Sequence, residues 1–398
     1  MTGLGVICAL GHNLAEVWCA LRAGRSGIGP IRSLDVSNLR FQNGAEVREY
    51  DTGKHFGSGA DLLDRFAQFA LISAREAVAD SGVTLTPELR ENTAVVSGSC
   101  VGGQSTQDAG FVELYRQERG RVHPLTIPRT MANAGASHIS VEFGTTGPAF
   151  TISTACSSAN HAIGQAFRMV RSGEVDLAIA GGSEAPFSMG LLKAWEAIRV
   201  IAPDTCRPFS RDRRGMILGE GGAMLVLEPL ERAEARGARI YGEIVGLGMS
   251  SDAGHITQPS VEGPARAMRA ALRDAQLHPE QVGYINAHGT GTPGNDPTET
   301  RAIREVFGAH ADRLAVSSTK SMHGHALGAA GALEAVATVM ALHEGLLPPT
   351  ANFTEPDPEC DLDIITHRAR TAQGECALSN SFAFGGLNAV LVLRAHLP

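Results

Sequence analysis

Short apolar runs alternate along the chain with longer stretches whose apolar residues recur every three or four positions. The runs Thr93–Val96, Val175–Ala180, Met224–Leu227, Tyr241–Val245, Val282–Asn286, Leu314–Ser317 and Ala389–Leu393 are predicted strands. Phe66–Asp80, Asn160–Arg171, Pro264–Asp274, Pro297–Val306 and Gly331–Glu344 are predicted helices. In the second of these, Ile163, Ala166, Phe167 and Val170 fall at i, i+3, i+4 and i+7, the spacing of a buried stripe. Strands that are apolar throughout, separated by helices, imply an α/β fold with sheets covered on both faces.

The pattern occurs twice. Ser153-Thr154-Ala155-Cys156 followed by His161-Ala162-Ile163-Gly164 is echoed by Ser318-Thr319-Lys320-Ser321 followed by His325-Ala326-Leu327-Gly328. Each copy reads as a strand, a tight Ser-Thr turn and a helix start. Met1-Thr2-Gly3-Leu4-Gly5-Val6 is echoed by Ile244-Val245-Gly246-Leu247-Gly248-Met249, which opens a second half. The seam is expected near Arg236-Gly237-Ala238, dividing the chain into 1–237 and 238–398. The first copy is read as starting at its glycine turn, so further strand residues are expected upstream. One copy offers a thiol and the other a lysine and a histidine, so a single site built from both halves is expected.

Composition narrows the function classes. A 398-residue chain with 43% hydrophobic residues, 5% aromatics and 46 glycines suits a closely packed enzyme. A net charge of −8 gives no general attraction to nucleic acid or anionic membrane. No apolar run is long enough to span a bilayer, and no secretory signal pattern opens the chain. The seven cysteines are odd in number and contain no Cys-x-x-Cys pair, which argues against a disulfide framework or structural zinc. A cytoplasmic location is expected.

Four segments carry candidate chemistry. Cys156 lies at a strand-to-helix turn, where a helix N-terminus favours the thiolate by roughly 0.3–1 kcal/mol. His288, in Asn286-Ala287-His288-Gly289-Thr290-Gly291-Thr292, follows a strand and is placed to exchange a proton near neutral pH. His325 has Lys320 five residues upstream and Glu334 on the next helix, which could set its charge state. His323 and His325 lack a third ligand at suitable spacing, so no metal is expected. Asn380–Asn388 holds a glycine turn between strands, able to aim N–H groups at a developing negative charge.

The order Thr-Ala-Cys156-Ser-Ser, Asn-Ala-His288-Gly-Thr-Gly-Thr, Ser-Ser-Thr-Lys320-Ser-Met-His-Gly-His325 and Asn380–Asn388 resembles the β-ketoacyl-acyl-carrier-protein synthases of the thiolase superfamily, over essentially the whole chain. The two-histidine pattern resembles the elongating synthases, and the wording around His325 and Phe382 resembles nodulation-type and other specialised ketosynthases. The resemblance implies a thiolase fold of duplicated halves in five α-β-α-β-α layers. It implies a decarboxylative condensation of an acyl chain on Cys156 with malonyl-acyl-carrier protein. By it His288 and His325 stabilise the enolate, with Lys320 and Glu334 organising their electrostatics. The N–H groups of Cys156 and Phe382 form the oxyanion hole at the Gly385 turn, and Phe382 gates the thiol. Thr257, Thr290 and Thr292 contact the pantetheine arm, and Val101, Met131 and Ala132 line the acyl pocket. No cofactor is implied beyond the phosphopantetheine of the acyl carrier protein. A homodimer is implied; the alternative assembly is the active subunit of a heterodimer with a chain-length-factor-like partner.

Two departures stand out. Ala383 and Leu387 replace the glycine and threonine usual in the gating loop, and residues 58–65 carry one basic residue where a carrier-docking patch is usual. The acidic carrier protein is therefore expected to dock on other cations, such as Arg207, Arg211, Arg213 and Arg214, or on a partner subunit. A degradative thiolase would need a second cysteine at the Gly385 turn, where none stands. A catalytically dead carrier-binding scaffold would not need Cys156, His288, Lys320 and His325 together.

Overall fold

Eleven strands in two sheets and five long helices form the frame of the computed structural model, which describes residues 1–396. The first sheet uses β1 (Gly3–Cys8), β2 (Thr93–Gly98), β3 (Ala149–Ile152), β4 (Leu177–Glu184) and β5 (Gly221–Leu227). The second uses β6 (Gly242–Ser251), β7 (Val282–Asn286), β8 (Ala315–Ser317), β9 (Asp363–Ile364), β10 (Cys376–Ala383) and β11 (Leu387–Ala395). The sheet orders are β1-β5-β4-β2-β3 and β6-β11-β10-β7-β8-β9. Numbered within its own run, each reads 1-5-4-2-3, with β9 added at the edge of the second. The strand directions match as well: the first two pairings are antiparallel and the next two parallel in both sheets.

Five helices make the remaining layers: α1 (Arg65–Ser81), α2 (Ser158–Arg171), α3 (Glu262–Ala275), α4 (Asn295–Phe307) and α5 (Ala330–His343). Helices α2 and α5 lie between the sheets, α1 covers the outer face of the first sheet, and α3 and α4 the outer face of the second. The result is a five-layered α-β-α-β-α stack. Position in the stack explains the sequence of each helix. α5 is buried from Ala330 to Leu342 and has no polar face, whereas α3 buries one stripe and shows arginines on the other. Asn160 ties α2 to the second sheet by donating to the carbonyls of Ser379, at 3.0 Å, and Ala389, at 3.3 Å.

The glycine echo at the two opening strands has a different cause from a turn. A Cβ on Gly3 or Gly5 would stand 2.0 Å from the carbonyl oxygens of Ala77 and Ser73 on α1. A Cβ on Gly248 would stand 1.9 Å from that of Ala267 on α3. Each half thus presses an outer helix backbone-to-backbone onto its first strand, which only glycine allows. Gly3–Cys8 is itself the strand, paired along its six residues with Gly221–Val226.

Candidate active site

Cys156 sits on a strained turn between β3 and α2. Ala155, just before it, has φ +50°, a left-handed conformation that costs a non-glycine residue on the order of 1 kcal/mol. Local bonds hold that shape: Ser158 Oγ accepts from Thr154 N at 2.9 Å, Ser157 Oγ donates to the Thr154 carbonyl at 2.8 Å, and His161 Nδ1 lies 3.0 Å from Thr154 Oγ1. The turn carries the thiol into the gap between the halves, where it is 7% exposed.

Burial reverses the preference for the thiolate expected at this turn. Burial pushes the Cys156 thiol up to about 12, against the pull of the Lys320 ammonium and the Phe384 N–H; the Glu184 and Glu334 carboxylates add to the rise. Helix α2 starts two residues on, at Ser158, and its dipole is outweighed by desolvation. Burial thus favours the neutral thiol over the thiolate.

Two imidazoles face it from the second half. His288 and His325 lie edge to face, ring centroids 5.5 Å apart, and both line the cavity that holds Cys156. His288 is placed by the loop after β7, whose N–H groups at His288 and Gly289 both donate, at 2.8 Å, to the fully buried Glu299 of α4. His325 is held in extended backbone, donating to the Ile217 carbonyl at 2.7 Å and accepting from Gly219 N at 2.9 Å. Nδ1 of each ring is buried without a partner. Burial, and then the Lys320 ammonium, push both histidines well below their ordinary range, so both are neutral at pH 7. Two imidazole NMR signals, each lost in His288→Asn or His325→Asn, should therefore keep neutral-form shifts down to about pH 5.5, a pH at which an ordinary histidine is mostly charged. Titration of either near 6.5 would contradict this.

Lys320 and Glu334 form an ion pair with both side chains fully buried behind the histidines. Burial pushes the Glu334 carboxyl up and the Lys320 charge opposes it. His323 is spoken for: Nδ1 lies 2.8 Å from the Gly324 carbonyl and Nε2 3.0 Å from Thr319 Oγ1, and burial with Lys320 pushes it down to about 3. Among the described residues no three His, Cys, Asp or Glu side chains are grouped to hold a metal ion.

The cavity over these groups has a volume of about 320 Å³. Thr257, Thr290 and Thr292 line it together with Cys156, His288 and His325, and the two loop threonine hydroxyls are 2.9 Å apart. Phe382 and Gly385 line it too, with the Phe382 ring 6.0 Å from that of His288. Phe384, two residues beyond Phe382, lines the cavity as well, and its N–H pulls the Cys156 thiol down. Phe384 follows the last pair of the β10–β11 ladder, Ala383 with Leu387. Val101, Met131 and Ala132 stand outside this cavity. Met131 is 47% exposed, and Val101 donates its N–H to Glu184.

The docking arginines separate into two groups. Arg213 is buried and paired with Asp357, and Arg207 is paired with Asp204 and Asp212, so neither is free to meet a carrier. Arg211 and Arg214 are exposed, and Arg214 lines the cavity.

Five further residues shape the site. Glu299 and Asp296 brace the His288 loop; Asp296 accepts from Phe209 N at 2.8 Å and Gly291 N at 3.1 Å. Glu184 accepts from Cys100 N at 2.6 Å, Val101 N at 3.2 Å and Gly328 N at 3.0 Å, joining loops of the two halves. Phe384 and Trp195 complete the wall. The only sequence signal for Asp296 and Glu299 was an acidic pair at a helix start beside a Gly-Thr loop.

Comparison with known proteins gives the family. Residues 1–233 match the family described as β-ketoacyl synthase, N-terminal domain, and residues 241–354 match β-ketoacyl synthase, C-terminal domain. The chain is 47% identical over 397 residues to Nodulation protein E of Rhizobium sp. (strain N33), covering 99% of this chain and 98% of that protein. It is 42% identical over 405 residues to 3-oxoacyl-(acyl-carrier-protein) synthase 2 of Synechocystis sp., covering 100% and 97%. A solved structure, the ishigamide ketosynthase/chain length factor, superposes with a TM-score of 0.95 at 38% identity, covering 100% of this chain and 98% of that one. Both domain matches, in chain order and across most of the sequence, with relatives above 40% identity over nearly the full length, make this chain a member of the β-ketoacyl synthase family.

Proposed function

We propose that Cys156 carries the growing acyl chain in a decarboxylative condensation with malonyl-acyl-carrier protein, extending a fatty-acyl or polyketide chain by two carbons. The observation that carries this reading is the convergence of the Cys156 thiol, the two neutral imidazoles and the Phe384 N–H on one cavity. In the first half-reaction the thiol attacks the acyl thioester of the carrier. The carrier thiol leaves, taking a proton in exchange for the one Cys156 gives up. In the second, the malonyl group loses CO₂, and the enolate oxygen accepts hydrogen bonds from His288 and His325. The enolate carbon then attacks the Cys156 thioester carbonyl. Its oxyanion is held by the Phe384 N–H, with the Cys156 N–H as second donor, and collapse expels the Cys156 sulfur, which recovers a proton. Neutral donors suit this chemistry, since negative charge appears only after the carboxylate has gone. The substrates arrive on phosphopantetheine, past Thr257, Thr290 and Thr292, and no resident cofactor takes part.

A dimer is the proposed working form. The edge strand β3, with Ala149 exposed, and the exposed Phe111, Tyr115, Ile127 and Met131 leave an apolar surface for a second chain. That chain is a second copy or a chain-length-factor-like partner; sizing and activity of the isolated protein separate the two. A partner there would also close the acyl pocket around Val101, Met131 and Ala132. Arg211 and Arg214 are the proposed carrier-docking cations. Among the described residues no helix is long and apolar enough to cross a membrane, which accords with a cytoplasmic enzyme.

The test is intact-mass analysis after incubation with malonyl-carrier protein and a panel of acyl-carrier proteins. An acyl adduct on Cys156 and a β-ketoacyl product two carbons longer are expected. An enzyme that neither becomes acylated nor releases such a product would overturn the reading.

A further inference from the structure

Trp195 is placed to control the N–H that faces the nucleophile. It lies on helix Met189–Ile198, is 9% exposed, and forms part of the wall of the catalytic cavity. Its ring stacks on that of Phe384, centroids 6.1 Å apart and planes 27° from parallel. The backbone around Phe384 is anchored on both sides. Ala383 is the last residue paired in β10, and Gly385, at φ +84°, donates to the Ile256 carbonyl at 2.7 Å. Phe384 itself has no ladder partner, and its half-buried side chain packs in the cluster of Trp195, Leu192, Met216 and Leu327. Between those two anchors, the seating of the Phe384 ring is the remaining constraint on the orientation of its N–H.

Nothing but packing seats Trp195 in turn. Its indole N–H is buried without an acceptor. An unpaired buried donor destabilises the fold, and phenylalanine would stack without one. An indole kept on packing alone can shift with the ring it touches, because no hydrogen bond would have to break.

We propose that Trp195 is the positioning residue for the Phe384 N–H, and that its ring moves when an acyl group is loaded on Cys156. This rests on the condensation assigned above. It adds a side chain outside the reacting atoms that sets the oxyanion donor and reports its state.

The chain contains two tryptophans, Trp18 and Trp195, so Trp18→Phe leaves Trp195 as the sole indole fluorophore. In that variant, acylation of Cys156 by an acyl-carrier donor should change the emission intensity; the same donor should leave Trp18→Phe/Cys156→Ala unchanged. Trp195→Ala should lower the kcat of condensation about tenfold, equivalent to about 1.4 kcal/mol, while KM for the acyl carrier stays within about twofold. Trp195→Phe keeps the stack and should stay within about twofold of the parent in both. Unchanged emission on acylation overturns the proposal, as does Trp195→Phe slowed as much as Trp195→Ala, or Trp195→Ala at full kcat. If Trp195→Ala does not fold, the emission and the phenylalanine variant decide. Failure of the parent enzyme to form any adduct at Cys156 would instead overturn the assigned condensation, so the two failures are distinguishable.

Discussion

Cys156→Ala should reduce condensation by on the order of 10⁴-fold or more, because no other group in the cavity can hold the acyl chain. Release of CO₂ from malonyl-carrier protein should survive in the same variant. Decarboxylation depends on the hydrogen bonds that His288 and His325 offer the enolate, and those residues are held by Glu299 of the second half and by the Ile217–Gly219 backbone of the first, rather than by the thiol. The enolate, with no thioester to attack, would be protonated to the acetyl group. Labelled CO₂ and product mass, read together, check both halves of the claim. Variants at His288 or His325 should show the converse, with Cys156 still acylated and CO₂ release lost. Equal loss of both activities in Cys156→Ala would mean that the thiol shapes the histidine site.

Lys320→Met should be the most damaging change to stability. It would strand Glu334 in α5, fully buried and with no cation nearby; Oε2 of that carboxylate already has no partner. Leaving one member of a buried pair uncompensated costs about 3–5 kcal/mol, a large share of the stability of an ordinary domain. Removing both charges, in Lys320→Met/Glu334→Leu, should recover most of it. Denaturant unfolding of the single and double variants measures the difference. Activity should not recover with stability. Lys320 lowers the Cys156 thiol and adds to the burial that keeps both histidines neutral. Without it the thiol is harder to ionise and the imidazoles are easier to protonate, so acylation and decarboxylation both suffer, more strongly as pH falls. Full activity in the stable double variant would reduce the pair to a packing element.

Much of this architecture is legible in the amino-acid sequence. The seven predicted strands and five predicted helices all occur, with ends moved by a few residues, because buried strands and the striped helices carry strong periodic signals. β1 was read as the remnant of a turn, since its glycines look like punctuation. In space they are the points where strand and helix backbones touch. The duplicated Ser-Thr turns were visible as letters, and the matched 1-5-4-2-3 sheet orders are the physical form of that echo.

What the amino-acid sequence determined by itself is the set of reacting groups. A cysteine at one Ser-Thr turn, a lysine and histidine at its echo, and a histidine before a Gly-Thr loop are local patterns, readable because each is set by a few neighbouring residues. What only the tertiary structure decided is the state and alignment of those groups. The Cys156 thiol is neutral because both halves close over it, and desolvation outweighs the end of one helix. Phe382 and Phe384 both line the cavity, and it is the N–H of Phe384, just past the end of the β10–β11 ladder, that pulls the thiol down. Arg213 is lost to docking because Asp357, 144 residues away in sequence, folds onto it. Glu184, Glu299 and Trp195 matter through contacts with distant segments. Burial, pairing and ring packing are sums over the whole fold, and no local pattern encodes them.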